Sequence, residues 1–257
     1  MIKRWNVNYP GLTGRERRHT YVYLPRDYDS HPDRRYPVLY MFDGQNLFWD
    51  KDASFGKSWG LGRYLDRIHA PLIVAALECS PDPGNARLAE YCPFDWYDPK
   101  YGFFEGHGDE TMQWFIHRFK RYIDRNFRTL PDREHTFIGG SSMGGLMSLY
   151  AVTCYNEIYS RAAALSPTLD ADIDVLSAII DESDIAPGTV VYMDYGVREF
   201  DYEPFQPENY ARICHQLFEK DVLLSSRIVP EGSHCEASWE KQLPFAIQTL
   251  LYEVNQL

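Results

Sequence analysis

Long apolar runs are missing from this sequence of 257 residues: none approaches the roughly 20 residues that a membrane-spanning helix needs. The opening stretch, MIKRWNVNYPGLTGRERR, also carries charges where a secretion signal would need an apolar core. These two absences lead us to expect a cytoplasmic protein without a membrane partner.

Cysteine is scarce and irregularly placed. The five cysteines are odd in number, are scattered along the chain and never form a C-x-x-C pair: Cys79, Cys92, Cys154, Cys214 and Cys235. This usage fits neither a disulfide framework nor a zinc site. We expect reduced thiols and no bound metal.

Positive charge is also in short supply, with 26 Lys and Arg against 37 Asp and Glu, which gives a net charge of −11. This balance disfavours nucleic acid and anionic membrane surfaces as partners, whereas a neutral or cationic small molecule is tolerated. Hydrophobic residues make up 44% of the chain, enough for a packed core. Since no linker, repeat or low-complexity run interrupts it, residues 1–257 are predicted to form a single domain.

Short apolar runs recur along the chain and predict strands. They lie at 19–25, 36–42, 71–77, 135–140, 161–167, 189–196 and 223–229. Most are continuous rather than alternating, as is typical of strands buried on both faces. The opening IKRWNVNY and the run at 19–25 are separated by a short Gly-containing turn, so we expect an antiparallel hairpin at the start.

Helical patterns alternate with these runs. Apolar residues at helical spacing predict an amphipathic helix; they are Met112, Phe115, Ile116, Phe119 and Ile123. Further helices are predicted at 210–220 and from Trp239 to Leu251. Alternating strands and helices predict an α/β fold with a mainly parallel sheet of about eight strands, covered by helices on both faces.

The segment from Cys79 to Asp109 has no periodicity and is rich in Pro, Gly and aromatic residues. Loops of this length in a compact domain are usually functional or disordered, and the aromatic content favours order. We interpret the segment as the wall of a pocket. Trp96 and Tyr97 within it, together with Trp49, are candidate substrate-contacting aromatics, although such residues more often belong to a core.

The stretch IGGSSMGGL at 138–146 places four glycines and two serines between a predicted strand and a predicted helix. A plain Gly-rich turn is one interpretation. A phosphate-binding loop is disfavoured because no GK[ST] follows, and the glycine spacing does not fit the dinucleotide motif. The remaining pattern is G-x-S-x-G, in which Ser142 lies on a tight strand-to-helix turn at the carboxyl end of a parallel strand, where sites form. Ser142 is therefore the predicted nucleophile.

A nucleophilic serine needs a base, and His234 in VPEGSHCEASW is the candidate. It follows the last predicted strand and precedes the last predicted helix. The other histidines lie at strand starts, in other turns or loops, or on helix faces: His19, His31, His69, His107, His117, His135 and His215. A loop histidine is often only a surface residue, but the chain order Ser, acid, His favours His234.

The acid that orients this base is predicted near the strand at 189–196. Four carboxylates are available there: Asp194, Glu199, Asp201 and Glu203. Asp194 is expected within the strand, whereas Glu199 follows the strand-breaking Gly196 and is favoured. A solvated acidic loop is the alternative.

Two N–H donors are needed to stabilise a developing oxyanion. Asp43-Gly44-Gln45 ends a predicted strand, and glycine lets the main chain approach a ligand closely. The Gln45 N–H and the Met143 N–H, at the start of the helix after Ser142, are the predicted donors. An ordinary Asp-Gly turn is the alternative interpretation.

A family resemblance rests on several of these motifs together. From about residue 20 to the C-terminus, the chain resembles the putative esterase family of α/β-hydrolases, which includes esterase D, feruloyl and acetyl-xylan esterases, enterochelin esterases and mycolyltransferases. The strings that match, in order, are YPVLYMFDGQNLF, SFGKSWGL, EYCP, IGGSSMGGLMSLYA, YMDYGVRE and EGSHCEASW.

The resemblance implies an α/β-hydrolase fold with Ser142 as nucleophile, His234 as base and Glu199 as acid, and with Gln45 and Met143 as backbone donors. The family's acid is often Asp where this chain has Glu199. The implied activity is ester hydrolysis through an acyl-enzyme, without metal or cofactor. Because no amphipathic lid-like helix is apparent and the segment 79–109 offers flat aromatic surfaces, we expect soluble short-acyl or aromatic-acyl esters as substrates, with carbohydrate-linked esters among the candidates. An acyltransferase using the same acyl-enzyme and a non-catalytic binding protein on this scaffold are the alternatives.

Overall fold

The computed structural model describes residues 1–11, 14–82, 84–201 and 206–253. Ten strands are present in this part of the chain: β1 (Ile2–Gly11), β2 (Gly14–Tyr23), β3 (Val38–Met41), β4 (Ile73–Leu77), β5 (Trp96–Asp98), β6 (Gly102–Phe104), β7 (Thr136–Ser141), β8 (Arg161–Leu165), β9 (Val190–Gly196) and β10 (Leu223–Val229). Eight α-helices accompany them: α1 (Leu61–Arg67), α2 (Ala86–Glu90), α3 (Gly108–Trp114), α4 (Arg121–Asn126), α5 (Met143–Cys154), α6 (Ile173–Glu182), α7 (Gln206–Glu219) and α8 (Glu236–Leu250).

Eight of the strands form one sheet in the order β1-β2-β4-β3-β7-β8-β9-β10. The pairs from β4 to β10 are parallel, whereas β1 pairs with β2, and β2 with β4, in antiparallel fashion. The mainly parallel eight-stranded sheet and the antiparallel N-terminal hairpin predicted from the sequence are confirmed.

The core consists of two layers, one on each face of the sheet. In β3, Val38 and Tyr40 point into one layer, and Leu39 and Met41 point into the other. Successive side chains of a strand point to opposite faces, which explains why the central strands are continuous apolar runs rather than alternating ones. Helices α3 to α7 contribute to the first layer, and helices α1 and α8 to the second.

The predicted helical stripe from Met112 to Ile123 is present and its five apolar residues are buried. It runs through α3, a π-helical segment (Phe115–Lys120) and α4. Helices α7 and α8 confirm the other two predicted helices. None of the helices in the described residues combines the length and the apolar composition that crossing a membrane requires.

The segment from Cys79 to Asp109 contains more regular structure than the sequence predicted. It includes the short helix α2 and a separate two-stranded antiparallel sheet made of β5 and β6, and helix α3 begins within it at Gly108. Across the small sheet Trp96 stacks on Phe104 with ring centroids 5.4 Å apart. Elements of three to five residues are too short for a periodic pattern to reveal.

Candidate active site

The turn between β7 and α5 holds Ser142 in a strained conformation, with φ 59° and ψ −126°. Positive φ is unfavourable for a residue with a Cβ, so the surrounding structure has to hold it. The Ser142 N–H donates to the Leu165 carbonyl at 3.0 Å, and the Ser142 carbonyl accepts from the N–H of Leu146 at 3.0 Å and of Thr168 at 3.2 Å. These bonds fix the serine at the carboxyl end of the sheet.

The glycines around Ser142 permit close contacts between backbones. A Cβ on Gly140 would lie 2.7 Å from the carbonyl carbon of Gly144, so the turn could not close with any other residue. Gly144 lies against Phe42 at the end of β3, where an added Cβ would come within 3.1 Å of the phenylalanine Cβ. The small residues at 138–146 therefore allow a tight turn that packs directly on the neighbouring strand.

His234 lies in the loop between β10 and α8, and its Nδ1 is 2.7 Å from Glu199 Oε2. The distance fits a hydrogen bond from the His234 Nδ1–H to a carboxylate oxygen, which leaves Nε2 as the ring nitrogen that is not bonded to Glu199. The imidazole packs edge-on against Trp239, with ring centroids 5.1 Å apart. Its side chain is 45% exposed, whereas that of Glu199 is 5% exposed.

Glu199 ends a 3-10 turn (Val197–Glu199) directly after β9. Its Oε1 accepts the Gly196 N–H at 2.8 Å and the Ser166 hydroxyl at 2.8 Å. With His234 on Oε2, three donors surround this buried carboxyl group. These hydrogen bonds hold the carboxyl group in place beside His234.

The other carboxylates near this strand have different surroundings. Asp194 is buried within β9, where it accepts the Tyr192 hydroxyl at 2.7 Å and the Ser166 N–H at 3.1 Å. Burial raises the pKa of Asp194 to about 7. Asp201 is exposed, and Glu203 lies outside the described residues. Of the three described candidates, the structure brings only Glu199 to His234.

A cavity of about 280 Å³ contains Ser142, Glu199 and His234 on its surface. The segment 79–109 supplies one side of it with Leu88, Trp96, Asp98 and Tyr101. Met143, Thr168, Asp170, Tyr195 and Gln206 complete the lining.

Ser142 Oγ is 3.4 Å from Thr168 Oγ1, and it makes no hydrogen bond to His234 within the described part of the chain. Nucleophile–base hydrogen bonds are often long without substrate.

Of the three aromatic residues predicted in the pocket, only Trp96 lines this cavity. Tyr97 follows it in β5, points to the opposite face and is 68% exposed. Trp49 packs beside Tyr21 and Phe48, each with ring centroids 6.1 Å away. Tyr97 and Trp49 therefore lie outside the lining of this cavity.

The sequence did not predict Thr168, Asp170 or Gln206 as cavity residues. Thr168 and Asp170 follow β8, and Gln206 begins α7. Thr168 and Asp170 reach the cavity because β8 lies beside β7, the strand that precedes Ser142. Gln206 is held there because its side-chain amide donates a hydrogen bond to Asp170 at 2.8 Å. The one available signal was the position of Thr168 just beyond the carboxyl end of a predicted parallel strand.

The two predicted backbone donors lie in two turns, one after β3 and one after β7. Gln45 is in a 3-10 turn (Gly44–Asn46) after β3, and Met143 is the first residue of α5. Among the described residues neither N–H has a hydrogen-bond acceptor. Met143 lines the cavity, whereas Gln45 is outside its lining.

Side chains hold the turn that carries Gln45. The Gln45 amide donates to Ser54 Oγ at 3.3 Å and to Cys79 Sγ at 3.1 Å, and its oxygen accepts the Cys79 N–H at 3.3 Å. Next to it, Asp43 forms a two-pronged ion pair with Arg87 of α2, with both N···O distances 2.7 Å. Partial burial lowers the pKa of Arg87, but the charge and hydrogen bonds of Asp43 outweigh it and raise that pKa above its ordinary value. This ion pair connects the segment 79–109 to the turn.

Comparison with known proteins identifies the family. A family model described as Putative esterase matches residues 13–248. The chain belongs to the putative esterase family. This match confirms the resemblance inferred from the motifs and the enzyme class expected from it, a serine esterase.

Similar proteins are distant in sequence. The chain is 27% identical over 223 residues to the esterase Rv1288 of Mycobacterium tuberculosis, a match that covers 83% of this chain and 43% of the mycobacterial protein. The chain thus spans less than half of that relative.

Two solved structures illustrate the shared fold. An IroE-like serine hydrolase from Shewanella oneidensis has a TM-score of 0.74 at 18% identity, covering 96% of this chain and 79% of that one. A ferulic acid esterase has a TM-score of 0.69 at 16% identity, covering 97% of both chains. At these identities the likeness shows the fold alone.

Proposed function

We propose that this protein hydrolyses carboxylic esters with Ser142 as nucleophile, His234 as general base and Glu199 as the acid that orients the base. The observation that carries the proposal is the 2.7 Å contact between His234 Nδ1 and Glu199 Oε2, beside a cavity that Ser142 lines from its strained turn. A serine, a histidine and a buried carboxylate, from three separate segments, thus meet at one end of the sheet.

The reaction proceeds in two halves. Ser142 Oγ attacks the ester carbonyl carbon while His234 Nε2 takes the hydroxyl proton, and the same proton then passes to the departing alcohol. Water attacks the resulting acyl-enzyme and loses a proton to Nε2. The bond between the acyl carbon and Ser142 Oγ then breaks, the carboxylic acid leaves, and Oγ takes the proton back from Nε2. Glu199 stays ionised throughout and stabilises the imidazolium that forms in each half.

The carbonyl oxygen becomes negatively charged in each tetrahedral intermediate. In our proposal the Met143 and Gln45 N–H groups donate to that oxygen. Two observations support this: both N–H groups lie near the turn that carries Ser142, and neither has a hydrogen-bond acceptor within the described residues. Two such donors, fixed before the reaction starts, stabilise the charge without reorganisation.

The substrate class follows from the size and lining of the cavity. Its volume of about 280 Å³ lies just below the range for small-molecule sites, roughly 300 to 1,000 Å³. Trp96 and Tyr101 offer flat apolar surfaces in it. We propose soluble esters with a short or single-ring aromatic acyl group, an inference compatible with the ferulic acid named for one structural neighbour. A cytoplasmic location is proposed because all five cysteines are free thiols.

The proposal is tested by labelling and turnover together. A fluorophosphonate probe is expected to add one adduct to the wild-type chain and to Ser141→Ala but none to Ser142→Ala, because only the hydroxyl of Ser142 is activated. Ser142→Ala should also lose turnover of a chromogenic acetate ester, by about 10⁶-fold as in other serine hydrolases. Labelling of Ser141, or an active and folded Ser142→Ala variant, would rule out this nucleophile.

Specificity is tested with an ester panel. We expect acetate and feruloyl esters to be turned over faster than emulsified long-chain triglycerides, since the cavity has no room for a long acyl chain. Adding alcohol acceptors to the same assay and following the acyl product separates hydrolysis from acyl transfer. Faster turnover of triglycerides would contradict the proposed substrate class.

A further inference from the structure

Ser166 lies behind the pair formed by Glu199 and His234 and has an unusual backbone. It follows β8 directly, is 2% exposed and has φ 42°, a value that a residue with a Cβ rarely adopts. Its N–H donates to the main-chain oxygen and to the side-chain Oδ1 of Asp194, each at 3.1 Å. Strain of this kind persists only where the surrounding structure holds it, and here Asp194 supplies two acceptors for the Ser166 N–H.

The hydrogen bonds of the Ser166 hydroxyl fix the direction of its proton. The indole Nε1–H of Trp239 lies 3.0 Å from Ser166 Oγ, and an indole nitrogen can only donate. Ser166 Oγ therefore accepts there, and its single hydrogen is left for the other neighbour, Glu199 Oε1, at 2.8 Å. The chain of donors runs from Trp239 through Ser166 to Glu199.

We propose that Ser166 is a positioning residue for the acid of the triad: its hydroxyl, oriented by Trp239, holds Glu199 Oε1 so that Oε2 faces His234 Nδ1. This inference rests on the proposed function of Glu199 and His234. The Gly196 N–H is the other donor to Oε1, at 2.8 Å. Without the Ser166 hydroxyl, the Gly196 N–H would be the remaining donor to Oε1, and the plane of the carboxylate would be held less firmly.

Trp239 contributes to the same arrangement from a second side. Its ring packs edge-on against the His234 imidazole at 5.1 Å while its N–H bonds to Ser166. One side chain of α8 therefore contacts both the base and the serine that holds the acid. Replacing the indole by a phenyl ring removes the donor but leaves an aromatic ring beside His234.

The first experiment measures steady-state kinetics of Ser166→Ala. Removing one hydrogen bond to a charged group is expected to lower kcat roughly ten- to a hundredfold, with KM changed less than about twofold, because Glu199 acts on the base and not on bound substrate. Ser177→Ala, which removes a buried hydroxyl from α6, is the matched control and should keep wild-type kcat. If Ser166→Ala does not fold, Ser166→Gly supplies the same deletion with a residue suited to positive φ.

The second experiment combines Ser166→Ala with Trp239→Phe. If the indole acts through Ser166, the Trp239→Phe change should cost much less kcat in the Ser166→Ala background than in the wild type. The proton NMR resonance of His234 Nδ1–H is expected to shift in Ser166→Ala and to stay in place in Ser177→Ala. A structural role alone would leave both readings unchanged.

The outcomes separate this inference from the proposed function. If Ser142→Ala and Glu199→Gln are inactive while folded Ser166→Ala or Ser166→Gly keeps kcat near wild type, the positioning role is wrong and the triad stands. The positioning role is also wrong if Ser166→Ala changes KM alone, or if the effects of Ser166→Ala and Trp239→Phe on kcat are strictly additive. If Glu199→Gln remains active while Ser142→Ala is inactive, the proposed role of Glu199 fails, and the inference about Ser166 fails with it.

Discussion

The two halves of the candidate site are held in different ways. The catalytic half, which consists of Ser142, Ser166, Glu199 and His234, is tied together by hydrogen bonds between segments far apart in the chain. The wall half, formed by the β5–β6 sheet, relies on local bonds, such as those from the N–H groups of residues 100 and 101 to Asp98 Oδ1, at 2.7 and 2.8 Å.

This difference shows how one fold can keep its chemistry while its specificity varies. A change in the catalytic half disturbs several strands at once, whereas a change in the β5–β6 sheet affects mainly its own neighbours. Tyr97 and Phe103 on this sheet are 68% and 67% exposed, so their replacement removes little packing. Binding residues commonly lie on such segments, positioned by a rigid scaffold. Substitutions in the two halves should therefore have effects of different size and kind.

The largest effect is expected in the catalytic half, from Glu199→Gln. The amide keeps the shape of the side chain but offers an N–H to His234 Nδ1, which forces the proton onto Nε2 and removes the base. The expected loss in kcat is about 10⁴-fold, measured with a chromogenic ester. Asp201→Asn, at an exposed carboxylate nearby, is the control and should keep full activity. A larger loss in Asp201→Asn or Asp194→Asn would transfer the role of acid to that residue.

Substitutions of Gln45 test the proposed oxyanion donor next to the catalytic half. Proline at this position removes the N–H, and the loss of one oxyanion donor costs roughly 10² to 10³ in kcat. Gln45→Ala keeps the N–H but loses the bonds to Ser54 and Cys79, so we expect a lower melting temperature with a smaller change in kcat. Intact probe labelling of Ser142 controls for distortion. A folded, labelled Gln45→Pro enzyme with normal kcat would show that the oxyanion is stabilised elsewhere.

Substitutions in the wall half should change KM rather than kcat. Trp96→Ala removes a ring from the cavity and is expected to raise KM for aromatic-acyl esters about tenfold, with a smaller change for acetate esters. Tyr97→Ala, at the next position on the opposite face of the strand, should leave both unchanged. Equal effects of the two substitutions would mean that the substrate does not contact this side of the cavity.

The smallest expected effect is on the pH dependence of stability, and it comes from Asp194, which lies behind the catalytic half. Its pKa of about 7 in the folded chain exceeds the value of about 4 in an unfolded chain, so the folded state binds more protons between these pH values. This group therefore makes the free energy of unfolding fall as pH rises from about 4 to about 7. The groups around it are Tyr192, Ser166, Glu199 and Arg227.

Asp194→Asn removes that titration while its amide oxygen can still accept the Ser166 N–H. We expect the melting temperature of the variant to depend less on pH than that of the wild type between about pH 4.5 and 7. Parallel melting curves across this range would contradict the raised pKa of Asp194.

Much of the framework, and the place of several site residues in it, could be predicted from the sequence because the signals are local. A strand-to-helix turn at Ser142 follows from glycine spacing, and the position of Glu199 after its strand follows from Gly196. Which side chains line the cavity is a different matter. Gln206 reaches it through the packing of α7, and Tyr97 leaves it because β5 is only three residues long, so no pattern in the sequence distinguishes its two faces.

The N-terminal hairpin has a consequence for the order of folding. Within the main sheet, β1 pairs with β2 between residues close in sequence, up to Gly11↔Gly14, whereas β3 pairs with β7 through contacts such as Val38↔Thr136. Pairings between distant residues form slowly because a long loop must close before any contact is gained. The hairpin is thus expected to form early and the parallel strands to assemble later, so a refolding chain passes through a stage at which its central apolar strands are unpaired and prone to aggregate.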